Sequence, residues 1–315
     1  MTARPRRASG RGQHFCRSGG IAEIPHTHQR RSVPARLSQN EAVPTTPRAP
    51  AEIGSDLRRL GVQTGDLLMV HASLRSIGPL EGGADGLLEA LVDTVGLDGT
   101  LLMVLGALDE WAWVNERPEP ERAQLLSDAE PFDALATPAD PEVGTLAEVF
   151  RTRPGTLVSD HPEGRFAASG RLAGHLTTDV PWNDYYGPGS PLERLVDAGG
   201  RVLRLGADPN TVTLLHYAEY LTPLPEKRRV RRHRKVLEPG GSLVRVVECL
   251  DDSAGIVDYP AEDYFTSILR AYLGTDRAAC GMVGDAQAEL IDAGDIARFA
   301  VHWMPEHLGE PNLHR

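Results

Sequence analysis

Apolar residues recur at helical spacing at Ile53, Leu57 and Leu60, which predicts a helix that stops at Gly61. A Thr-Gly-Asp turn and the unbroken apolar run 67–70 follow, the mark of a buried strand. The small-residue loop His71-Ala-Ser73-Leu74-Arg75-Ser76-Ile77-Gly78 comes next, then a helix over about 84–95 and a second buried strand over 100–105. Strand, helix, strand implies a parallel pair. Residues 109–142 show no period and are rich in Pro, Trp and acids, which predicts a long excursion from the core.

Beyond it the pattern predicts a short helix over 143–151 and a strand starting at 156. Ser190-Pro191 opens another helix, because Ser suits the cap and Pro the first helical position. A strand over 201–205 and a helix from about 209 to 221 come after it. The period then switches to two over 228–236 and 242–250, joined by Glu-Pro-Gly-Gly, which predicts an antiparallel hairpin. The tail is expected to hold helices at 261–272 and 285–292 and a strand at 296–301. The fold class is therefore α/β: a mixed central sheet with a parallel βαβ core, flanking helices and an antiparallel hairpin appendage.

Charge divides the chain. Residues 1–50 carry nine arginines and two acids, a net of +7, while the whole 315-residue chain stands at −11 and the remainder at −18. The basic segment has few large apolar residues and is expected to be a disordered extension, with 51–315 forming one domain. The paired His26 and His28, with His14 and Cys16 nearby, are read there as chance neighbours. An acidic body argues against nucleic acid or anionic membranes as partners and favours a cationic ligand. No apolar run is long enough to span a membrane and no secretory apolar core stands at the start, so a cytoplasmic location is expected. Cys16, Cys249 and Cys280 show neither disulfide nor metal spacing.

Common nucleotide, hydrolase and metalloprotease signatures are absent, so chemistry must rest on scattered residues. In Asn210-Thr-Val-Thr213-Leu-Leu-His216-Tyr-Ala-Glu219, His216 and Glu219 stand three apart on one helix face. The carboxylate can then orient the imidazole and stabilise it after proton capture. A surface His/Glu pair without function has the same spacing. The 71–78 loop ends a buried strand, where open α/β sheets bind ligands, and Arg75 can contact phosphate; a plain strand-to-helix turn fits equally. His161, in Ser159-Asp160-His161-Pro162, is a substrate contact or a turn residue. Acids such as Asp109, Asp251 and Asp252 would concentrate a polycation if they lined one cleft.

The order of these segments resembles the aminoglycoside 3-N-acetyltransferase family, which is distinct from the GNAT superfamily. The resemblance covers about residues 52–302. It is carried by the run from Leu67 to Asp85, Gly99-Thr-Leu-Leu-Met, Glu130-Pro-Phe-Asp133, Val143-Gly-Thr-Leu-Ala-Glu148, Asp160-His-Pro162, Gly189-Ser-Pro-Leu192, the strand from Gly200 to Gly206, and the motif ending at Glu219. It implies direct acetyl transfer from acetyl-coenzyme A to the 3-amino group of a 2-deoxystreptamine antibiotic, and with it antibiotic resistance. His216 matches the family's catalytic histidine. Asp252 stands where a carboxylate would support it, and Glu219 belongs to the same motif. Ser73, Leu74, Arg75, Ser76, Ile77, Gly78 and Thr213 match the region that grips coenzyme A. Asp109, His161 and Asp251 match residues expected around the amino sugar. No metal is implied, and a homodimer is left open.

The chain departs from the family between Asp109 and Glu130, where it carries an insertion with Trp111 and Trp113, and at Val104, where proline is common. Two rival readings follow. One keeps the reaction and changes the acceptor to another amine; the other is a binding protein or a metal hydrolase built on His161 and His216.

Overall fold

A computed structural model of the protein describes residues 46–260 and 263–308. The expected disorder of the extension, with His14, Cys16, His26 and His28, lies outside the described residues. The last few residues assigned to that extension are part of the fold: Arg48 N–H donates to Pro79 O, Glu81 N–H donates to Arg48 O, and Pro50 opens the first helix.

The chain runs α1 (Pro50–Leu60), β1 (Leu67–Ala72), α2 (Leu74–Ile77), α3 (Gly83–Val95), β2 (Thr100–Val104), α4 (Glu121–Asp128), α5 (Thr145–Thr152), β3 (Leu157–Val158), β4 (Phe166–Gly170), α6 (Ala173–Thr177), α7 (Pro191–Asp197), β5 (Arg201–Leu205), α8 (Leu215–Leu221), β6 (Arg229–Glu238), β7 (Gly241–Leu250), α9 (Tyr264–Leu273), β8 (Ala279–Val283), β9 (Ala286–Asp292) and α10 (Ala293–Leu308). Seven strands form one sheet in the order β3-β4-β2-β1-β5-β9-β8. The centre, β2-β1-β5, is parallel, and both flanks are antiparallel. β6 and β7 make the separate hairpin.

Alternation along the central strands divides the core. Leu67, Met69, Leu102, Val202 and Ile291 face one layer with α8, α9 and α10, whereas Leu68, Val70, Leu101, Leu203 and Leu290 face another with α1, α3 and α5. β1 leads to β2 on one side and pairs with β5 on the other. That reversal makes a topological switch point at the carboxyl ends of β1 and β5, the place where open α/β sheets take ligands.

The structure corrects the expected tail. Residues 286–292 are a strand and 293–308 a helix, the reverse of the expected order. Ala286, Ala288 and Leu290 are buried while Gln287 is exposed, a period of two. Gly284 at φ +59° and Asp285 turn the β8–β9 hairpin, a Gly-Asp signal that marks such turns. Asp292 then caps α10, its Oδ1 accepting from Asp295 N–H at 2.7 Å. β4 and α6 were not expected either: Phe166-Ala-Ala-Ser-Gly is too small and too short to show alternation, and it becomes a strand by pairing with β2.

Candidate active site

Helix α8 buries Leu215, Tyr217 and Ala218 against the core, which leaves His216 at the rim of a cleft. Glu219, one turn on, is 1% exposed. His216 Nδ1 lies 2.8 Å from Glu219 Oε2, the pairing that the spacing predicts. The other carboxylate oxygen, Oε1, accepts from the Tyr264 hydroxyl, and that hydroxyl accepts from Ile256 N–H at 3.1 Å. Both oxygens of a buried carboxylate are thus satisfied. The imidazole is held between two rings: Tyr186 stacks on it at 5.0 Å and 10°, and Phe265 meets it edge-on at 4.7 Å.

This arrangement selects a tautomer. Glu219 accepts a hydrogen bond from Nδ1–H, so neutral His216 keeps its lone pair on Nε2, for which no partner exists among the described residues. Burial pulls the imidazole pKa down. Glu219, by charge and hydrogen bond, and then Asp252 and Asp263 outweigh it, and the pKa rises above the ordinary 6.5. The cleft, of about 380 Å³, is lined by His216, Asp252, Asp263, Tyr259, Val257 and the turn from Ser253 to Gly255. Two acids on its wall suit a cation.

Asp252 reaches the cleft by a different route from the one expected. Its carboxylate is hydrogen-bonded to Arg232 at 2.5 Å and to the Tyr185 hydroxyl; among the described residues Glu219 alone bonds the His216 ring. Asp251 is 6% exposed, and its Oδ1 accepts from Ser253 and Ala254 N–H at 3.1 and 2.9 Å. It shapes the turn rather than the cleft wall. His161, 1% exposed, donates from Nε2 to Trp182 O at 2.8 Å, while Nδ1 accepts from Glu163 and Gly164 N–H at 3.1 and 2.7 Å. Both ring nitrogens are used by backbone, so His161 organises a turn and offers nothing to a substrate. Asp109 accepts from Trp111 N–H at 2.9 Å, pairs with Arg234 at 3.3 Å, and lines a second cavity with Glu110, Glu130 and Trp111.

The loop after β1 lies at the sheet's switch point. Ser73 N–H donates to Leu205 O at 2.9 Å, and Ser76 Oγ stands 2.9 Å from Ser73 Oγ and 3.1 Å from Gly206 O. Gly206, at φ +61°, is required: a Cβ there would sit 2.4 Å from that of Ser76. Arg75 is exposed, with no acidic partner among the described residues, and Leu74 is half-buried. Ile77 is in the core at 1% exposed, so only its backbone can reach a ligand. Gly78 adopts φ +86°. Thr213 is half-buried, and its carbonyl accepts from His216 N–H at 3.1 Å.

Tyr264, Tyr186, Phe265, Asp263 and Arg232 escaped the sequence reading. Only Asp263 carried a local signal, as the cap of α9, where it accepts from Phe265 and Thr266 N–H at 3.1 and 2.9 Å. Cys249 is buried, and burial, then Asp252, pushes its thiol up to about 12, far from a nucleophilic thiolate. Among the described residues no three His, Cys, Asp or Glu side chains come together to hold a metal, and no helix is long and apolar enough to cross a membrane.

The family model described as aminoglycoside 3-N-acetyltransferase matches residues 69–305. Aminoglycoside N(3)-acetyltransferase VII of Streptomyces paromomycinus is 38% identical over 267 residues, 82% of this chain and 91% of that protein. Aminoglycoside N(3)-acetyltransferase III of Pseudomonas aeruginosa is 37% identical over 265 residues, 84% and 96% of the two chains. Among solved structures, AAC-IIIb in its binary complex with CoASH aligns with a TM-score of 0.80 at 37% identity, covering 85% of this chain and 100% of that one. AAC-VIa bound to sisomicin aligns with a TM-score of 0.77 at 37% identity, covering 83% and 98%.

Proposed function

The chain belongs to the aminoglycoside 3-N-acetyltransferase family, and from that premise we propose that His216 is the general base by which it moves the acetyl group of acetyl-coenzyme A onto the 3-amino group of an aminoglycoside. The observation that carries this reading is the Tyr264–Glu219–His216 relay, which leaves only Nε2 open, in a cleft walled by Asp252 and Asp263.

At neutral pH the acceptor amine is mostly an ammonium ion with no free pair, so it first loses one proton to solvent. His216 Nε2 accepts a second proton as the neutral amine nitrogen attacks the thioester carbonyl carbon. A C–N bond forms and the carbonyl electrons move to oxygen. Collapse of that tetrahedral adduct breaks the C–S bond, and the imidazolium returns the proton to the departing thiolate, leaving an amide and free coenzyme A. Glu219 stabilises the imidazolium throughout, and Tyr264 keeps Glu219 in place. No covalent enzyme intermediate is needed, in keeping with the buried, poorly acidic Cys249.

Coenzyme A suits the switch point at the carboxyl ends of β1 and β5. Ser73, Leu74, Ser76, Gly78, the backbone of Ile77 and Thr213 would hold its pantetheine arm, and Arg75, which has no acidic partner among the described residues, its phosphates. Acetylation replaces an ammonium by a neutral amide and removes one charge from a polycationic antibiotic, the chemical basis for resistance.

The test is to mix the protein with acetyl-coenzyme A and a panel of aminoglycosides, follow thiol release, and locate the acetyl group by NMR. Release with an N-acetyl at the 3-amino position is expected. Acetylation elsewhere, or release only with other amines, would overturn the acceptor assignment.

A further inference from the structure

Asp252 lines the cleft with His216 yet is not free. Arg232 on β6 donates from Nη2 to Asp252 Oδ1 at 2.5 Å and to Ser253 Oγ at 3.0 Å, and from Nη1 to the Tyr185 hydroxyl at 2.8 Å. That hydroxyl donates to Asp252 Oδ2. The three side chains close a ring of hydrogen bonds drawn from three separate segments: the hairpin, the turn after it, and the loop before α7. Tyr185 is itself 1% exposed and wedged against His161 at 4.9 Å and Tyr186 at 4.6 Å, and Tyr186 is the ring that stacks on His216. The carboxylate therefore has one orientation, fixed on both oxygens. A carboxylate has about four lone-pair sites, so two remain for a ligand.

We propose that Arg232 is a positioning residue for the transfer, which with Tyr185 fixes Asp252 as the carboxylate that docks the acceptor amine beside His216. This rests on the reading of His216 as the base. An acid is needed there to bind an ammonium, but an unbalanced acid so near His216 would stabilise the imidazolium and withdraw the free base. Arg232 limits the conflict by offsetting part of the charge while leaving lone pairs for directional bonding. The surroundings agree. The groups facing Asp252 are Arg232 from β6, Tyr185, Cys249 from β7, Ser253, and His216 from α8; Glu163 stands 3.7 Å from Arg232 and is paired to Arg234 at 2.7 Å. His216 itself faces Glu219, Asp252 and Asp263. Burial pushes the Asp252 pKa up, but Arg232 above all, then His216 and Tyr185, hold it below the usual carboxylate value.

Steady-state kinetics of Arg232→Met, Arg232→Lys, Asp252→Asn and the Met/Asn double variant, with separate KM values for antibiotic and acetyl-coenzyme A and a pH profile of kcat/KM, test the assignment. Arg232→Met is expected to raise the antibiotic KM about tenfold or more, to leave the acetyl-coenzyme A KM near wild type, and to move the acid limb upward, because Asp252 then acts on His216 unbalanced. Arg232→Lys recovers part of both effects. Asp252→Asn raises the antibiotic KM and moves the limb down, and in that background Arg232→Met adds no further rise. If Arg232→Met does not fold, Arg232→Lys and Asp252→Asn carry the test by their opposite limb shifts. Unchanged antibiotic KM and acid limb in these variants, or effects of the two substitutions that multiply, would overturn the proposal. Persistent turnover in His216→Ala would instead overturn the base assignment, a separate result.

Discussion

Two histidines in two parts of the molecule meet opposite fates. His216 on α8 gives one nitrogen to a carboxylate and keeps the other for the cleft, whereas His161, in the loop before β4, spends both on backbone groups. Carboxylates outweigh burial at His216 and raise its pKa; at His161 burial dominates, the Trp182 carbonyl opposes it only in part, and the pKa falls to about 4. Sequence motifs flag both residues, His216 with Glu219 on one helix face and His161 as a substrate contact or a turn residue. What separates the proposed base from a scaffold is the partner of one nitrogen and the freedom of the other.

Substitution sharpens the contrast first. His216→Ala is expected to lower kcat by about 10²–10⁴-fold with coenzyme A affinity unchanged in calorimetry. His161→Ala should instead lower stability by about 2–3 kcal/mol in denaturant unfolding, with the folded fraction still turning over. A reversal of these two outcomes would erase the distinction. Glu219→Gln comes next: it keeps the shape but removes the charge, so kcat should fall about tenfold to a hundredfold and the acid limb of the rate profile should move down.

The pH dependence of stability divides the pair by sign. His216, raised in the folded state, stabilises fully below its unfolded pKa of about 6.5 and loses that contribution as pH rises through the folded value. His161, depressed, stabilises above about 6.5 and loses that contribution as pH falls toward about 4. Chemical unfolding from pH 4 to 8 should therefore show a weaker acid-side loss in His161→Gln and a weaker alkaline-side loss in His216→Gln. The smallest effect belongs to Tyr264→Phe, which removes one bond to Glu219 and should cost about 1 kcal/mol of transition-state stabilisation, read as a several-fold loss in kcat.

The parallel core, the α8 motif and the hairpin were legible because each is a local pattern: apolar runs, an i,i+3 pair, a period-two stretch around Pro-Gly-Gly. The tail was misjudged because Ala286, Ala288 and Leu290 are a thin alternation that an acid-rich context hides, although Gly284-Asp285 marked the turn. The site was only half legible. His216 and Glu219 stand three residues apart, but Tyr264 is 45 residues from Glu219 and Arg232 is 47 from Tyr185, separations that only the folded chain closes. Asp251 and Asp252 look alike in sequence, yet one turns its oxygen to backbone amides and the other to Arg232.

The central claim is that His216 holds its Nδ1 proton against Glu219 and offers Nε2 as the base. A 15N NMR titration of the histidine rings, set beside the pH profile of kcat/KM, tests it directly. His216 is expected in the Nδ1–H form, with Nε2 titrating above 6.5 at the midpoint of the kinetic acid limb. A His216 that titrates at or below 6.5, carries its neutral proton on Nε2, or does not match the kinetic limb would contradict it.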